Sequence, residues 1–113
     1  MIIENNGIKG LKSDLAHLDE VTTNLGFVRW QWEYTRATYD LKIEEKGSEY
    51  FLRVNTRAES GRLEQPHAIL YIEEVYIGKA TFPHGLDYAS PIPDSIMKIA
   101  SQKLAQLKTQ LSE

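Results

Sequence analysis

The 113-residue sequence contains no cysteine, which excludes disulfide bonds, thiolate metal sites and a cysteine nucleophile. It also has no apolar segment of about 18 residues, the length that a membrane-spanning helix needs. Its first residues show neither the basic region nor the apolar region of a signal peptide. We therefore expect a cytoplasmic protein with no membrane partner.

An excess of positive charge is lacking as well. Sixteen acidic residues against thirteen Lys and Arg give a formal net charge of -3, and the charges are spread along the chain. Because a domain that binds nucleic acid usually presents a basic patch, the sequence predicts no nucleic acid partner.

Motifs that carry catalysis or hold a cofactor are missing too. The seven glycines are isolated, so they form no phosphate-binding loop, and no G-x-S-x-G elbow occurs. His17, His67 and His84 lack the spacing that would direct two imidazoles at one metal ion. Glu73 and Glu74 are adjacent, and we expect them on opposite faces of a strand. The sequence thus predicts no cofactor and no metal, and it favours a protein that is not an enzyme.

Apolar residues recur at helical spacing in two segments. The first helix follows a weak strand near the N-terminus; Ser13 is the predicted N-cap and Gly26 ends the helix. The second begins near Pro93, which suits a first helical position. The expected buried positions are Leu11, Leu15, Leu18, Val21 or Thr22 and Leu25 in the first helix, and Ile96, Ile99, Ala100, Leu104, Leu107 and Leu111 in the second.

Between these helices the apolar period is two, which is typical of strands. Four strands are predicted, joined by turns near residues 35–37 and 46–48 and by a polar loop at 59–66. The expected inward positions are Val28, Trp30, Trp32 and Tyr34; Tyr39, Leu41 and Ile43; and Tyr50, Leu52, Val54 and Thr56. The fourth strand starts at His67 and is apolar on both faces. The sequence predicts one α+β domain over residues 1–113, with a four-stranded antiparallel meander and the order β-α-β-β-β-β-α.

Three groups of residues could carry a function. Trp30, Trp32, Tyr34 and Tyr39 are interpreted as core, although such aromatics can also line a ligand cavity. The polar face, with Arg29, Lys42, Arg53 and Arg57 among acids, favours cross-strand ion pairs over an anion-binding patch. The segment 82–88 combines an imidazole, a carboxylate and a phenol in irregular chain. From these groups the candidate ligand-binding residues are His84, Asp87, Tyr88, His67 and Arg53.

Short pieces of the sequence resemble the YugN-like family, small uncharacterised proteins of Gram-positive spore-forming bacteria. The matching pieces are Gly10-Leu11, Gly26-Phe27-Val28, Trp32-Glu33-Tyr34, Thr38-Tyr39-Asp40, Tyr50-Phe51-Leu52-Arg53-Val54, His67-Ala68, Ile77-Gly78-Lys79, Pro83-His84-Gly85 and Tyr88. The resemblance implies a topology like that of the TATA-binding protein. It implies no activity.

Two functional hypotheses follow. The first is a non-catalytic binding or protein-interaction module, with an unidentified protein or small molecule as its partner. The alternative is a small-ligand binder or small enzyme with its site around Pro83-His84-Gly85. A homodimer is also expected, formed by the sheet face that carries Phe27, Phe51, Ile69 and Tyr71.

Overall fold

A computed structural model describes residues 1–30, 33–81 and 85–112. The chain forms an α+β fold with a curled antiparallel sheet and two helices. The elements in chain order are β1 (Lys12–Asp14), α1 (Leu15–Asn24), β2 (Val28–Trp30), β3 (Arg36–Glu45), β4 (Ser48–Ser60), β5 (Ile69–Ala80), β6 (Leu86–Asp87) and α2 (Asp94–Leu111).

The predicted meander is confirmed, and the sheet is larger than predicted. Strands β2 to β5 pair in chain order, but β1 also joins the sheet beside β5, which gives the order β1-β5-β4-β3-β2. Strand β6 pairs with the last residues of β5. The predicted N-terminal strand around Ile2 is reduced to one bridge between Ile2 and Tyr76, and the first strand lies at Lys12–Asp14 instead. In the described residues, three long strands (β3, β4 and β5) and three short ones thus replace the expected four-strand sheet and its weak leading strand.

A two-residue turn fixes the register of the long β3–β4 hairpin. Lys46 and Gly47 both have positive φ, of 50° and 79°, as a type I′ turn requires. Glu45 therefore pairs with Ser48, and the ladder continues without a shift to Arg36 opposite Arg57. Every residue of β3 therefore has a defined partner on β4.

The helices cover one side of this sheet. The inward residues of β3 and β4 are buried as predicted, and they share one hydrophobic cluster with α1 and α2. Most of the predicted helical positions are buried with them, but Ile99 is wrong, because it is 38% exposed on the outer side of α2. Neither helix in the described part of the chain is long and apolar enough to cross a membrane.

The predicted orientation of the first meander strand is wrong. Val28, Trp30 and Tyr34 are 59%, 49% and 60% exposed, whereas Phe27 is buried. Arg29 turns toward the helices and binds Asp19 of α1. Edge strand β2 pairs over only three residues. Phe27 and Arg29 face the helices, and the more apolar Val28 and Trp30 face the other side. Trp32, assigned to the same core, lies outside the described residues.

Helix α1 begins one residue later than predicted. Asp14, not Ser13, is the N-cap, and its carboxylate accepts from the backbone N–H of His17 at 2.8 Å. The loop before β5 supplies two more acceptors, because the carbonyls of Ala68 and Pro66 accept from Leu15 and Ala16. This loop therefore ties the start of α1 to the sheet.

Candidate functional site

The side of the sheet that the helices leave uncovered carries a groove of about 690 Å³. We call this side the open face. The groove runs from Trp30 on the edge strand β2 to Leu86 and Tyr88 at the other side, and Phe51 and Tyr76 add aromatic surface between them. Its volume lies within the range of about 300–1,000 Å³ that is typical of small-molecule sites.

Cross-strand register determines what lies on the floor of this groove. In one row Trp30 is opposite Thr38, which is opposite Asn55. In the next row Asp40 is opposite Arg53, which is opposite Tyr76. The Thr38 hydroxyl donates to Asn55 Oδ1 at 3.0 Å. A strip of paired polar groups thus lies between aromatic walls.

The Asp40–Arg53 pair is the strongest polar interaction of the groove. Nε and Nη2 of Arg53 donate to the two oxygens of Asp40 at 2.8 and 2.9 Å, the bidentate geometry that arginine forms with carboxylates. Asp40 is buried, but the Arg53 side chain is 32% exposed. The hydrogen bonds to Asp40 raise the pKa of Arg53 above its ordinary value. The Arg53 guanidinium is therefore held in place as a cation, and the buried Asp40 carboxylate balances its charge.

Tyr88 reaches this pair from the segment after β6. Arg53 Nη1 donates to the Tyr88 hydroxyl at 2.9 Å, and the Tyr88 ring contacts the Tyr76 ring at a centroid distance of 5.6 Å. Gly78 allows the approach, since a Cβ there would meet Leu86 Cβ and Tyr88 Cδ1 at 3.2 Å. Because position 78 has no side chain, residues 86–88 can lie directly against β5.

A β-bulge brings Glu73 and Glu74 to the same side of the sheet. The register between β4 and β5 shifts at Asn55 and Thr56, and the core phase changes from Ile72 to Val75. Both acids line a second depression of about 550 Å³ beside the groove. The expectation that they point to opposite faces is therefore wrong.

The predicted cross-strand ion pairs of the polar face are confirmed for three of the four basic residues. Arg57 binds Glu73 at 3.2 Å, Lys42 binds Glu49 at 3.7 Å, and Arg53 binds Asp40, each pair joining two strands. Lys42 also binds Glu44 of its own strand at 3.0 Å. Arg29 is also paired, but on the helix side. These residues of the open face are thus charged individually, but each pair has no net charge.

The structure brings two of the predicted ligand-binding residues together. Arg53 and Tyr88 are in direct contact at the groove. The Asp87 carboxylate instead accepts from the hydroxyl and N–H of Ser90 and from the N–H of Ala89. These bonds, led by the Ser90 hydroxyl, lower the pKa of Asp87. Asp87 therefore stabilises the turn that follows β6.

Of the two histidines of the predicted site, the structure describes His67, which lies away from this pair. His67 is exposed in the loop before β5, whereas β6 pairs with the opposite end of that strand. A strand of this length separates its ends by roughly 35 Å. His84 and the neighbouring Pro83 lie outside the described residues, and Gly85 is the described member of that loop at the groove.

Several groove residues were missed in the sequence. Thr38, Asp40, Asn55 and Tyr76 were not among the predicted ligand-binding residues. The hairpin signal at Lys46-Gly47 could have found the central pair, because a two-residue turn there places Asp40 opposite Arg53. Trp30 was interpreted as core, and the cavity-lining alternative describes its position better.

The polar groups of the groove limit the chemistry that its described residues can offer. Residues 1–30, 33–81 and 85–112 contain no group of three or more His, Asp or Glu side chains that could hold a metal ion. The groove carboxylate, Asp40, is buried under Arg53 and has both oxygens occupied, so it is poorly placed to act as a base. Aromatic surface and hydrogen-bond donors are what the groove offers to a ligand.

Comparison with known proteins gives consistent relatives. The YugN-like family matches residues 4–110. The uncharacterized protein YlbA of Bacillus subtilis (strain 168) is 32% identical over 84 residues, which are 74% of this chain and 70% of YlbA. The uncharacterized protein YugN of the same organism is 30% identical over 88 residues, 77% of this chain and 66% of YugN.

A solved structure extends the similarity to the fold. The crystal structure of the uncharacterized conserved protein YugN from Geobacillus kaustophilus HTA426 superposes with a TM-score of 0.86 and is 34% identical. The match covers 99% of this chain and 95% of that one. With the family match over nearly the whole length, these relatives show that the chain belongs to the YugN-like family.

Proposed function

We propose that the domain is a non-catalytic binding module that holds a small ligand in the groove of the open face. The observation that carries the proposal is the combination of an aromatic-walled groove of about 690 Å³ with a floor whose charges are already paired. A catalytic site usually keeps a reactive group with a perturbed pKa available to the substrate. Here Arg53 and Asp40 neutralise each other, which favours recognition over reaction.

The proposal also concerns topology, location and excluded partners. We propose the topology of the TATA-binding protein, which the order of the helices and of the long strands supports, and a cytoplasmic location, which the lack of cysteine supports. We expect no nucleic acid and no membrane partner, since Lys42, Arg53 and Arg57 each bind a carboxylate. Pairs of this kind leave the open face without the net positive charge that attracts a phosphate backbone.

A groove-filling variant tests the binding module. Ala80 lines the groove, so Ala80→Trp should fill part of it, and Ala105→Trp on an exposed position of α2 is the matched control. Small aromatic compounds that bind the wild type in ligand-detected NMR should lose binding to Ala80→Trp and keep it in the control. A library without any ligand at millimolar concentration, or ligands indifferent to Ala80→Trp, would contradict the proposal.

The same compounds separate a binder from an enzyme. After long incubation with the wild-type protein, each ligand should be recovered unchanged in mass and amount. Conversion of a ligand, lost again in Ala80→Trp, would favour the enzyme alternative that was expected around Pro83-His84-Gly85.

A homodimer is a second proposal, favoured by the exposed apolar residues of the edge strand. Val28 and Trp30 of β2, and Tyr34 farther along the chain, are about half exposed or more, and β2 is the outermost strand in the sheet order of the described residues. Of the residues that the sequence suggested for the interface, Phe51, Ile69 and Tyr71 are partly exposed, but Phe27 is buried. Sedimentation equilibrium should give twice the monomer mass at tens of micromolar protein, and Val28→Lys should restore the monomer. A monomer mass for the wild type would rule the dimer out.

A further inference from the structure

The polar groups at the groove expose donors rather than acceptors, and Tyr88 shows this most clearly. Arg53 Nη1 lies 2.9 Å from the Tyr88 oxygen. A guanidinium has no acceptor, so the phenol oxygen must accept and its own hydrogen must point elsewhere. No described group takes that hydrogen, and the side chain is 40% exposed. Tyr88 can therefore donate to a ligand.

Arg53 has donors left as well. Three of its N–H groups are used, two on Asp40 and one on Tyr88. An arginine side chain carries about five N–H groups in all, so two remain on the exposed edge. Their acceptor Asp40 is buried and cannot reach a ligand itself.

Asn55 completes the donor set. Its Oδ1 accepts the Thr38 hydroxyl at 3.0 Å, which leaves the amide N–H groups for other partners. Asn55 lines both the groove and the adjoining depression. Oxygen atoms of Asp40, Asn55 and Tyr88 thus accept hydrogen bonds within the protein. N–H groups of Arg53 and Asn55 and the O–H group of Tyr88 remain available to a ligand.

From this asymmetry we infer that the groove binds a flat aromatic ligand whose polar edge consists of oxygen acceptors, either a ring-attached carbonyl or a carboxylate. The rings of Trp30, Phe51 and Tyr76 supply apolar surface for the flat part. Tyr88, Arg53 and Asn55 supply donors for the edge. Since Asp40 already balances Arg53, the acceptor does not have to be charged. The inference rests on the proposed function and names the ligand class of the same groove.

Four naphthalene probes with a single substituent at the same ring position test the ligand class. Naphthoate and acetylnaphthalene carry acceptors, naphthylmethylammonium carries donors, and methylnaphthalene carries neither. Titrations followed by the Asn55 side-chain amide in ¹H–¹⁵N spectra should show both acceptor probes binding at least about fivefold more tightly than the other two. A difference between naphthoate and acetylnaphthalene then tells a carboxylate ligand from a neutral carbonyl ligand.

A tyrosine variant tests the donor that the inference depends on. Tyr88→Phe should weaken both acceptor probes about fivefold and leave methylnaphthalene unchanged. Tyr34→Phe is the control, since Tyr34 is exposed and lies outside the groove, and it should change no affinity. This pattern cannot arise from a general loosening of the groove, which would weaken methylnaphthalene too.

The failures of the two proposals are distinguishable. If none of the probes binds the wild type, the proposed function fails together with the inference. If all four bind equally, if the ammonium probe binds best, or if Tyr88→Phe weakens all of them alike, the groove is a binding site and the inference about acceptors is wrong.

Discussion

The same three residue types, Asp, Arg and Tyr, form one network on each side of the sheet, and the two networks are organised in opposite ways. On the helix side, Asp19 is the centre: it accepts from Arg29 at 2.9 Å and from the Tyr39 hydroxyl at 2.7 Å. On the open face, Arg53 is the centre, and it donates to both Asp40 and Tyr88. The phenol is a donor in the first network and an acceptor in the second.

Burial is reversed as well. Tyr39 is fully buried and Asp19 and Arg29 are about one-third exposed, whereas Asp40 is buried and Tyr88 is 40% exposed. The helix-side network therefore uses its phenol to fasten α1 to β3. The open-face network uses its carboxylate to hold an arginine and leaves the phenol hydrogen to solvent. The polar groups on the helix side therefore stabilise the fold, whereas those on the open face leave hydrogen-bond donors at the surface.

Matched phenylalanine substitutions should give the largest contrast between the two sides. Phe27→Glu places a charge at a 4% exposed position, and the lost burial and the unpaired charge should together cost about 5 kcal/mol or more. This approaches the whole stability of a small domain. Phe51→Glu should cost about 1 kcal/mol or less, because Phe51 is partly exposed and lies opposite Lys42. Circular dichroism during urea unfolding measures both, and similar losses would show that the open face is buried in solution.

Neutralising one acid in each network should give an intermediate effect. Asp40→Asn leaves Arg53 without its carboxylate, and we expect a loss of about 2–3 kcal/mol, less than for a fully buried pair because Arg53 is 32% exposed. Asp19→Asn keeps an acceptor for Tyr39 and breaks a pair that is about one-third exposed, so its cost should be about 1 kcal/mol or less. Urea midpoints in the order wild type, Asp19→Asn, Asp40→Asn check this, and the reverse order would contradict the comparison.

Removing each phenol should give the smallest effect at neutral pH and a distinctive one in alkali. Tyr39→Phe should cost about 1 kcal/mol, and Tyr88→Phe less, because the second phenol is exposed. Burial, followed by the bond to Asp19, raises the pKa of Tyr39. The unfolded phenol ionises near pH 10, so the wild type should lose stability as the pH rises above about 10. Tyr39→Phe should lack that part of the loss; parallel pH curves for the two proteins would argue against a buried, protonated Tyr39.

The long hairpin was predictable because several signals agree there. The apolar period of two, the turn near residues 46–48 and the alternation through Tyr39, Leu41, Leu52 and Val54 all predict the same hairpin, and the structure confirms the hairpin and its buried face. Both helices were predicted for the same reason, with a regular apolar stripe and plausible ends.

The edge strand could not be oriented from its own residues. An alternating segment fits a sheet in either of two phases, and the more apolar phase, with Val28 and Trp30, was the reasonable choice. The decisive contacts are made by residues distant in the chain, such as the ion pair from Arg29 to Asp19. Tertiary contacts of this kind override a three-residue pattern.

The bulge is visible in the burial pattern of the structure. Buried residues occupy even positions through Ile72 and odd positions from Val75 onward, and such a change of phase within one strand is the expected sign of an inserted residue. The sequence could not show this change, because the strand is apolar on both faces. The groove itself also needed the fold, because Tyr76 reaches Arg53 through the pairing of β4 with β5, and Tyr88 reaches it where Gly78 lets the segment after β6 lie against β5.

The length of the turn at Lys46-Gly47 determines how mutations can change the groove. It touches nothing in the groove, yet its length decides that Asp40 lies beside Arg53 and Thr38 beside Asn55. A single inserted codon at this turn would shift the partner strand by one position and turn one set of polar side chains toward the core. Substitutions on the groove floor alter it one group at a time, whereas a change of length at this distant turn would replace every pair at once.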